Sequence, residues 1–442
     1  MSSTCSPCAP TESKRISRRA ILQGAGAVGT VAVATPGFGT LAFASNNATR
    51  VGDVVVNIFL RGGMDGLSVV GPRTEAAGAN FLAAARPTLA VDPASLIPLT
   101  VDFGLHPAMA PLMSVWGDGL TNNRLALIPA AGFPNGDRSH FSVQRKMDEG
   151  LEDGAVGSGW LARHLDNTTS PGPDGLRAVS LPNGQRSLSG SGVAVTLRST
   201  DSFRVDGFRN NGNSGAMVRA ALQDLHAVDA DRVVNTRAQE ALNALDIVNN
   251  TTLSTPANGA VYPSGGRGRN LGRVLAEVAA LVRADTGLEA VATDANLGWD
   301  LHNNFGNQVD GRQAQNLGAL AEVLAAFAQD LGPDMDRVTV VLMTEFGRTF
   351  RENGGAGVDH GRASTMFVMG GGIRGGVYGD WPGLAPDNID RNALRVTVDY
   401  RSVLADVLQH RLATGQMSAV LPGYEDTPDK RLNLAVPIAV ST

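Results

Sequence analysis

The 442-residue sequence contains only two cysteines, Cys5 and Cys8, and both lie close to its first residue. The rest of the chain therefore has no disulfide, no thiolate metal ligand and no thiol nucleophile. Lysine is also scarce, since Lys14, Lys146 and Lys430 are the only three. The net charge is −5, and this lack of basic excess argues against nucleic acid or an anionic membrane surface as the main partner.

A paired arginine, Arg18-Arg19, precedes a run of small and apolar residues that ends at Ala42-Phe43-Ala44. This pattern is typical of a twin-arginine export signal with a small-residue cleavage site. We expect residues 1–44 to be a signal peptide recognised by the twin-arginine export machinery, with cleavage near Ala44. The mature chain would then be periplasmic or otherwise exported, with a net charge of −8 and no permanent membrane span. A membrane anchor is the alternative, because the length of the run permits a span.

Runs of β-branched and other apolar residues predict four strands, at 51–60, 125–131, 338–343 and 365–369. Apolar residues at helical spacing predict helices between and after them, at 139–150, 214–248, 270–283, 317–331 and 400–412. Strands that alternate with helices are typical of an α/β fold with a mostly parallel central sheet.

Binding sites in a parallel sheet form beyond the carboxyl ends of its strands. Chemically active side chains follow or precede the predicted strands at these ends: Arg61, Asp65, Asp137, Arg138, Ser139, His140, Glu345, Arg348, Asp359, His360 and Arg362. Asp300 and His302 form one more cluster, and their spacing places them on one side of an extended chain. Carboxylates and imidazoles bind divalent ions, and arginine fits the oxygens of a phosphate or sulfate. The combination predicts hydrolysis of an anionic ester.

Each of these residues also has a purely structural interpretation. Ser139 is a preferred residue for capping a helix, and Asp65 before Gly66 is a common turn pair. His302 and His360 are consistent with hydrogen-bonded structural histidines. The spacing of Glu345 and Arg348 is also that of an ion pair on one helix face.

Five segments together resemble a bacterial exported family, the domain-of-unknown-function family numbered 1501. They are LRGGMDGL at 60–67, RSHF at 138–141, WDLH at 299–302, TEFGRT at 344–349 and DHG at 359–361. The resemblance extends from about Val51 to beyond Tyr400. That family is similar to the alkaline phosphatase and sulfatase superfamily. The resemblance therefore implies a three-layer α/β/α sandwich over residues 45–442. The helical spacing of apolar residues at 210–290 separately predicts a helical insertion packed over the main sheet.

The resemblance also implies metal ligands. Asp300, His302 and His360 would hold one divalent ion, with Asp359 as a partner that supports a ligand. A mixed Asp/His site suits Zn²⁺ or Mn²⁺.

A second ion would be held by Asp65 and Glu345, and Mg²⁺ or Ca²⁺ suits a site made of carboxylates alone. This chain has Phe346 where the superfamily has a histidine ligand, so the second site lacks an imidazole unless His140 substitutes for it.

The resemblance further implies that Ser139 is the nucleophile and that Arg138 and Arg348 hold the transferring group. The predicted function is thus an exported metal-dependent hydrolase of phosphate or sulfate esters, with a small anionic ester as substrate. The alternative is a non-catalytic cell-envelope protein that keeps the fold and binds an anionic glycan or a partner protein. The metal content of the protein distinguishes the two hypotheses.

Overall fold

The structure is a computed structural model of the chain. It describes residues 53–117, 122–168, 176–182, 185–191, 194–205, 214–227, 233–251, 255–306 and 310–438. The expected signal peptide at 1–44 lies outside the described residues, so export stays a prediction.

Within the described residues, a nine-stranded sheet forms the centre of the fold. Its strands are β1 (Val54–Phe59), β2 (Leu125–Gly132), β3 (Ala178–Ser180), β4 (Val195–Thr196), β5 (Ala290–Asp294), β6 (Val338–Met343), β7 (Ser364–Gly370), β8 (Gly376–Val377) and β9 (Val398–Asp399). The order across the sheet is β8-β2-β7-β6-β1-β5-β3-β4, and β9 pairs with the end of β2. The four strands predicted from the sequence are confirmed as β1, β2, β6 and β7.

The sheet is mixed but mostly parallel. The central strand β1 runs parallel to both neighbours, with Val55 in register with Ala290 of β5 and with Thr339 of β6. Of the strands that the structure describes, β7 alone runs the other way, antiparallel to both β2 and β6. The carboxyl ends of β1, β2, β5 and β6 and the start of β7 therefore meet at one edge of the sheet.

Helices cover both faces. They are α1 (Gly66–Val69), α2 (Ala79–Ala85), α3 (Met113–Trp116), α4 (His140–Asp148), α5 (Trp160–Asp166), α6 (Ser214–Ala227), α7 (Val233–Asn250), α8 (Arg269–Arg283), α9 (Arg312–Leu331), α10 (Tyr400–Arg411) and α11 (Met417–Val420). Short 3₁₀ turns occur at Pro107–Leu112, Arg186–Leu188, Gly332–Arg337, Pro386–Asn388 and Pro428–Lys430. Two small sheets lie outside the main one: Val70–Pro72 with Phe103–Leu105 and Ile97–Pro98, and Ile389–Asp390 with Ala393–Leu394.

The alternating side chains of β1 divide the core into two layers. Val56 and its alternate neighbours pack with Val274 of α8 and Leu320 of α9 on one face. Val55 packs with residues such as Val403 of α10 on the other face. Truncating one such buried side chain to alanine costs about 2–5 kcal/mol. The packing of helices on both faces of the sheet confirms the predicted three-layer α/β/α sandwich.

The region expected to be a helical insertion contains α6, α7 and α8. Helix α8 carries Leu271, Val274 and Val278 at helical spacing, and this apolar face packs into the main core. That the segment 210–290 is an insertion stays a prediction. In the described part of the chain, no helix combines the length and hydropathy that a membrane span needs.

Candidate metal centre

Four loops meet at the edge where the parallel strands end. They follow β1, β2 and β5, and the fourth connects β6 to β7. The loop after β5 is anchored by Trp299, which is buried and donates from Nε1 to the carbonyl of Ala295 at 2.9 Å. In the loop between β6 and β7, the amide of Gly361 donates to the carbonyl of Gly347 at 2.8 Å, so His360 lies opposite Arg348. The sheet thus places residues distant in sequence at one point.

Three histidines and one aspartate converge there, and we refer to His140, Asp300, His302 and His360 as the His3Asp cluster. Nε2 of His360 lies 3.0 Å from Nε2 of His140 and 3.0 Å from Nε2 of His302. Oδ1 of Asp300 lies 3.0 Å from Nε2 of His302 and 3.4 Å from Nε2 of His360, and Oδ2 lies 3.6 Å from Nε2 of His140. The ligand atoms of His140, Asp300 and His360 all lie within 4.8 Å of one another, and His302 adjoins this group through His360 and Asp300.

The opposite ring nitrogen of each histidine has a hydrogen-bond acceptor. Nδ1 of His140 donates to Glu345 at 2.6 Å, and Nδ1 of His302 donates to Asp359 at 2.8 Å. Nδ1 of His360 donates to the carbonyl of Arg138 at 3.0 Å. Because a carboxylate and a carbonyl only accept, each neutral ring carries its proton on Nδ1 and keeps a lone pair on Nε2. The three lone pairs converge.

This donor set fits a divalent ion. Three converging lone pairs beside a carboxylate repel one another unless a cation lies between them. Ligand atoms about 2.0–2.1 Å from a tetrahedral zinc lie about 3.3 Å from one another. This is close to the 3.0–3.6 Å that separate the ligand atoms of His360 and Asp300 from those of their neighbours in the cluster. Histidines that bind metals usually donate their other nitrogen to a carboxylate or a carbonyl, as all three do here.

The pKa values of two histidines and of the aspartate in the cluster differ from their ordinary values. The hydrogen bond to Glu345 raises the pKa of His140 and makes its ring more basic. Burial lowers the pKa of His360. Burial alone would raise the pKa of Asp300, but the hydrogen bond and positive charge of Arg348 outweigh it and lower that pKa.

Glu345 supports the cluster from behind. Its side chain is fully buried, and its Oε1 accepts hydrogen bonds from His140, from Gln144 at 2.7 Å and from the amide of Gly62 at 2.8 Å. Burial alone would raise the pKa of Glu345, but these donors outweigh it and lower the pKa. The carboxylate faces ring Nδ1 of His140. In this geometry Glu345 is the hydrogen-bond partner of a candidate ligand, and its expected role as a ligand of a second ion stays a prediction.

Asp65 lies outside the cluster. Its two oxygens accept from the guanidinium of Arg86 at 2.6 and 2.9 Å, and one of them also accepts from Ser68. Asp65 and Arg86 are each 1% exposed. Burial would raise the pKa of Asp65, but the charge and hydrogen bonds of Arg86 lower it below its ordinary value. The structure therefore does not assemble the second site expected from Asp65 and Glu345, and His140 belongs to the first cluster instead.

The expected role of Arg348 as an oxyanion clamp also stays a prediction, and the structure gives its side chain other partners. Its guanidinium is buried and donates to the carbonyl of Gly63 at 2.6 Å, to that of Gly62, and to Asp300 at 2.8 Å. Gly63 has φ +69°, and a Cβ there would lie 2.7 Å from the ring of Phe346. Arg348 thus holds the loop after β1 and orients Asp300, because none of its surface faces solvent.

Phe346 lies in place of the histidine that the resemblance leads one to expect. Its ring centroid lies 4.8 Å from that of His140 and 4.8 Å from that of His360. The phenyl ring therefore packs behind two ligand candidates and fixes their planes.

Ser139 and Arg138 lie beside the cluster. Ser139 precedes α4, is exposed, and makes no side-chain cap hydrogen bond. Arg138 donates to the carbonyls of His360 at 3.1 Å and of Arg391 at 3.0 Å. Burial, together with the positive charges of Arg391 and Arg362, lowers the pKa of Arg138. The side of the cluster next to His360 is therefore cationic.

Sequence reasoning missed two residues of this region. Arg86 neutralises Asp65, and Gln144 donates to Glu345. Gln144 could have been found, since it follows His140 by one helical turn and so shares its helix face. Nothing near Arg86 in the sequence indicates its partner, because the two charges meet only through the tertiary fold.

Comparison with known proteins identifies the family. The model of the family described as "Protein of unknown function (DUF1501)" matches residues 128–411, nearly two thirds of the chain. The chain belongs to the DUF1501 family. The match includes the four residues of the His3Asp cluster, whereas the segment 60–67 precedes it. The predicted resemblance is thus confirmed.

Two solved structures resemble this DUF1501 protein weakly. A structure of Ps i-CgsB in complex with k-i-k-neocarrahexaose has 10% sequence identity and a TM-score of 0.32, covering 86% of this chain and 75% of that one. Alkaline phosphatase from the Antarctic bacterium TAB5 has 11% identity and a TM-score of 0.29, covering 74% of this chain and 95% of that one. No curated protein matches the sequence.

Proposed function

We propose that this DUF1501 protein is an exported metal-dependent hydrolase of phosphate or sulfate esters. The observation that carries the proposal is the convergence of three Nε2 lone pairs and a carboxylate at the carboxyl edge of the sheet. The His3Asp cluster would hold one divalent ion, and a site rich in imidazole suits Zn²⁺ or Mn²⁺. Such an ion, when bound, polarises the ester and stabilises negative charge that develops on its oxygens.

The neighbouring residues supply the remaining functions. Asp300 and His302 are roughly half exposed, so an ester reaches the cluster from solvent. Arg138, with the charges of Arg362 and Arg391 close by, attracts a doubly or singly charged group. Donors aimed at the transferring group stabilise charge that develops on it.

Ser139 is the proposed nucleophile because its exposed hydroxyl directly precedes His140. Its Oγ would form a bond to the phosphorus or sulfur as the bond to the leaving alcohol breaks, with the hydroxyl proton passing to solvent. Water would then release the phosphate or sulfate and restore the serine.

The test is a panel of p-nitrophenyl phosphate, bis-p-nitrophenyl phosphate and p-nitrophenyl sulfate with protein loaded with Zn²⁺ or Mn²⁺. We expect turnover of at least one ester, and Ser139→Ala should lower kcat by roughly 10³-fold or more. Ser114→Ala is the matched control, since Ser114 is an exposed hydroxyl on α3 that only donates to the carbonyl of Pro111. If Ser139→Ala turns over the ester as fast as wild type, the nucleophile is assigned wrongly.

A second candidate is a non-catalytic binding protein with a structural ion. Four protein ligands at one ion are typical of structural zinc sites, and the described residues do not assemble the second ion site. This hypothesis predicts that metal removal lowers the melting temperature of the protein, while the metal-loaded protein hydrolyses no ester in the panel.

A further inference from the structure

A basic cleft lies next to the His3Asp cluster. It has a volume of about 730 Å³, within the range of ligand pockets. Gln144 lines the cleft and also donates to Glu345, which orients His140. The cleft and the cluster therefore share helix α4 as a common wall.

Five arginines and one carboxylate, that of Asp294, line this basic cleft. Arg61 is neutralised, because it pairs with Asp294 at 2.8 Å and with Asp148 at 2.9 Å. Arg145 and Arg273 each have a glutamate one helical turn away. These three arginines contribute hydrogen-bond donors with little net charge.

The other two arginines retain their charge. Among the described residues, neither Arg186 nor Arg267 has a carboxylate within ion-pair distance, and both are exposed. Arg267 is nevertheless held in place by neutral acceptors, since Nη1 donates to the carbonyl of Leu297 at 3.3 Å and Nε to Gln315 at 3.4 Å. Arg186 acts on the buried Asp148 only through a longer-range electrostatic interaction. Two guanidinium groups without an ion pair, in a chain of net charge −5, mark a place for anions.

An unpartnered aromatic ring lies at the boundary between the two sites. Phe141 follows His140 directly, lines the cleft and is 90% exposed. A phenyl ring in water is covered favourably by an apolar face such as the C–H face of a sugar ring. Among the described residues that line the cleft, Phe141 is the only aromatic one.

We propose that the basic cleft holds a second anionic group of an extended oligosaccharide that carries sulfate or phosphate, with its scissile ester at the His3Asp cluster. This proposal rests on the proposed function and names its substrate class. Arg186 and Arg267 bind the second oxyanion, and Phe141 covers the sugar between the two groups. Nucleic acid is disfavoured because the chain is acidic and the cleft offers one ring for stacking.

The test measures binding without turnover. Fluorescently labelled heparin hexasaccharide is titrated into the full chain in EDTA, and its anisotropy is recorded. Arg186→Ala/Arg267→Ala should weaken binding at least tenfold, because an arginine–oxyanion hydrogen bond contributes roughly one factor of ten. Phe141→Ala should weaken it severalfold without a change in charge, and 0.5 M NaCl should weaken it further.

The matched control is Arg124→Ala/Arg374→Ala, which removes two arginines at the opposite edge of the sheet. Arg124 precedes β2 and Arg374 follows β7. Equal binding by the two double variants, or equal binding of an unsulfated hexasaccharide, overturns the proposal. Tighter binding of a single-stranded oligonucleotide than of the sulfated hexasaccharide overturns the substrate class. Arginine-dependent binding without hydrolysis of any ester refutes the proposed function and leaves the anion site established.

Discussion

The buried pair of Asp65 and Arg86 gives the most demanding prediction, because it separates a structural role from metal binding. We expect Asp65→Asn to lower stability and to leave metal content unchanged. Arg86 also donates to the carbonyls of Thr349 at 2.7 Å and Phe350 at 3.0 Å, so it stays buried when its carboxylate is removed. Breaking one partner of a buried pair costs about 3–5 kcal/mol.

This loss of unfolding free energy corresponds to a measurable decrease in the melting temperature, Tm. With about 2.1 cal/mol/K of unfolding entropy per residue, residues 45–442 give about 0.8 kcal/mol/K. A loss of about 4 kcal/mol therefore lowers Tm by about 5 °C. The assay is differential scanning calorimetry of wild type, Asp65→Asn, Arg86→Met and the double variant.

The decrease in Tm of the double variant should be smaller than the sum of the decreases of the two single variants, because removing both charges leaves no unpaired buried charge. Arg124→Met is the control: it breaks an exposed pair with Asp336 and should cost no more than about 1 kcal/mol. Loss of metal from Asp65→Asn with an unchanged Tm would refute the reasoning and would indicate that Asp65 is a metal ligand.

Two further predictions concern buried carboxyl groups. Glu345→Gln should weaken Zn²⁺ binding about 10–100-fold, because His140 loses its charged hydrogen-bond acceptor. Competition with a chelator measures the affinity. An unchanged affinity contradicts the role of Glu345. Burial raises the pKa of Asp148 well above its ordinary value, to about 6, so the stability it contributes is full below about pH 4 and lost as pH rises through 6. Relative to Asp148→Asn, wild type should lose about 3 kcal/mol between pH 4 and pH 7.5 in urea unfolding, and a constant difference between the two proteins argues against the raised pKa.

Local sequence predicts the strands of this fold where apolar β-branched residues are continuous. VVVNIF of β1 and VTVVLM of β6 are such runs. The strand β5, with the sequence AVATD, was missed because it is short and contains two alanines. Its neighbour β3 has three residues and is recognisable only from its pairing with β5. The antiparallel direction of β7 depends on the path of the whole chain, so no local sequence pattern predicts it.

The candidate site shows the same division. That His140 and His360 come together follows from their positions next to predicted strands of one sheet, whereas Asp300 and His302 follow β5, which the sequence pattern does not predict. The division between ligands and supporting residues does not follow, since Asp and Glu side chains look alike in a sequence. Glu345 supports His140 because its buried oxygen faces Nδ1 of the ring. Asp65 is not available as a metal ligand because Arg86 donates to both its oxygens. These roles depend on side-chain directions set by tertiary packing.

The most direct test of the central claim is the metal content of the purified protein, measured by inductively coupled plasma mass spectrometry after loading with Zn²⁺ or Mn²⁺. The account predicts about one tightly held ion per chain in wild type and in the control His226→Ala, whose histidine contacts Asn235 instead. It predicts almost none in His360→Ala, since Nε2 of His360 lies between those of His140 and His302. A wild-type protein that retains no ion under any loading condition, or a His360→Ala variant that retains as much as wild type, would contradict it.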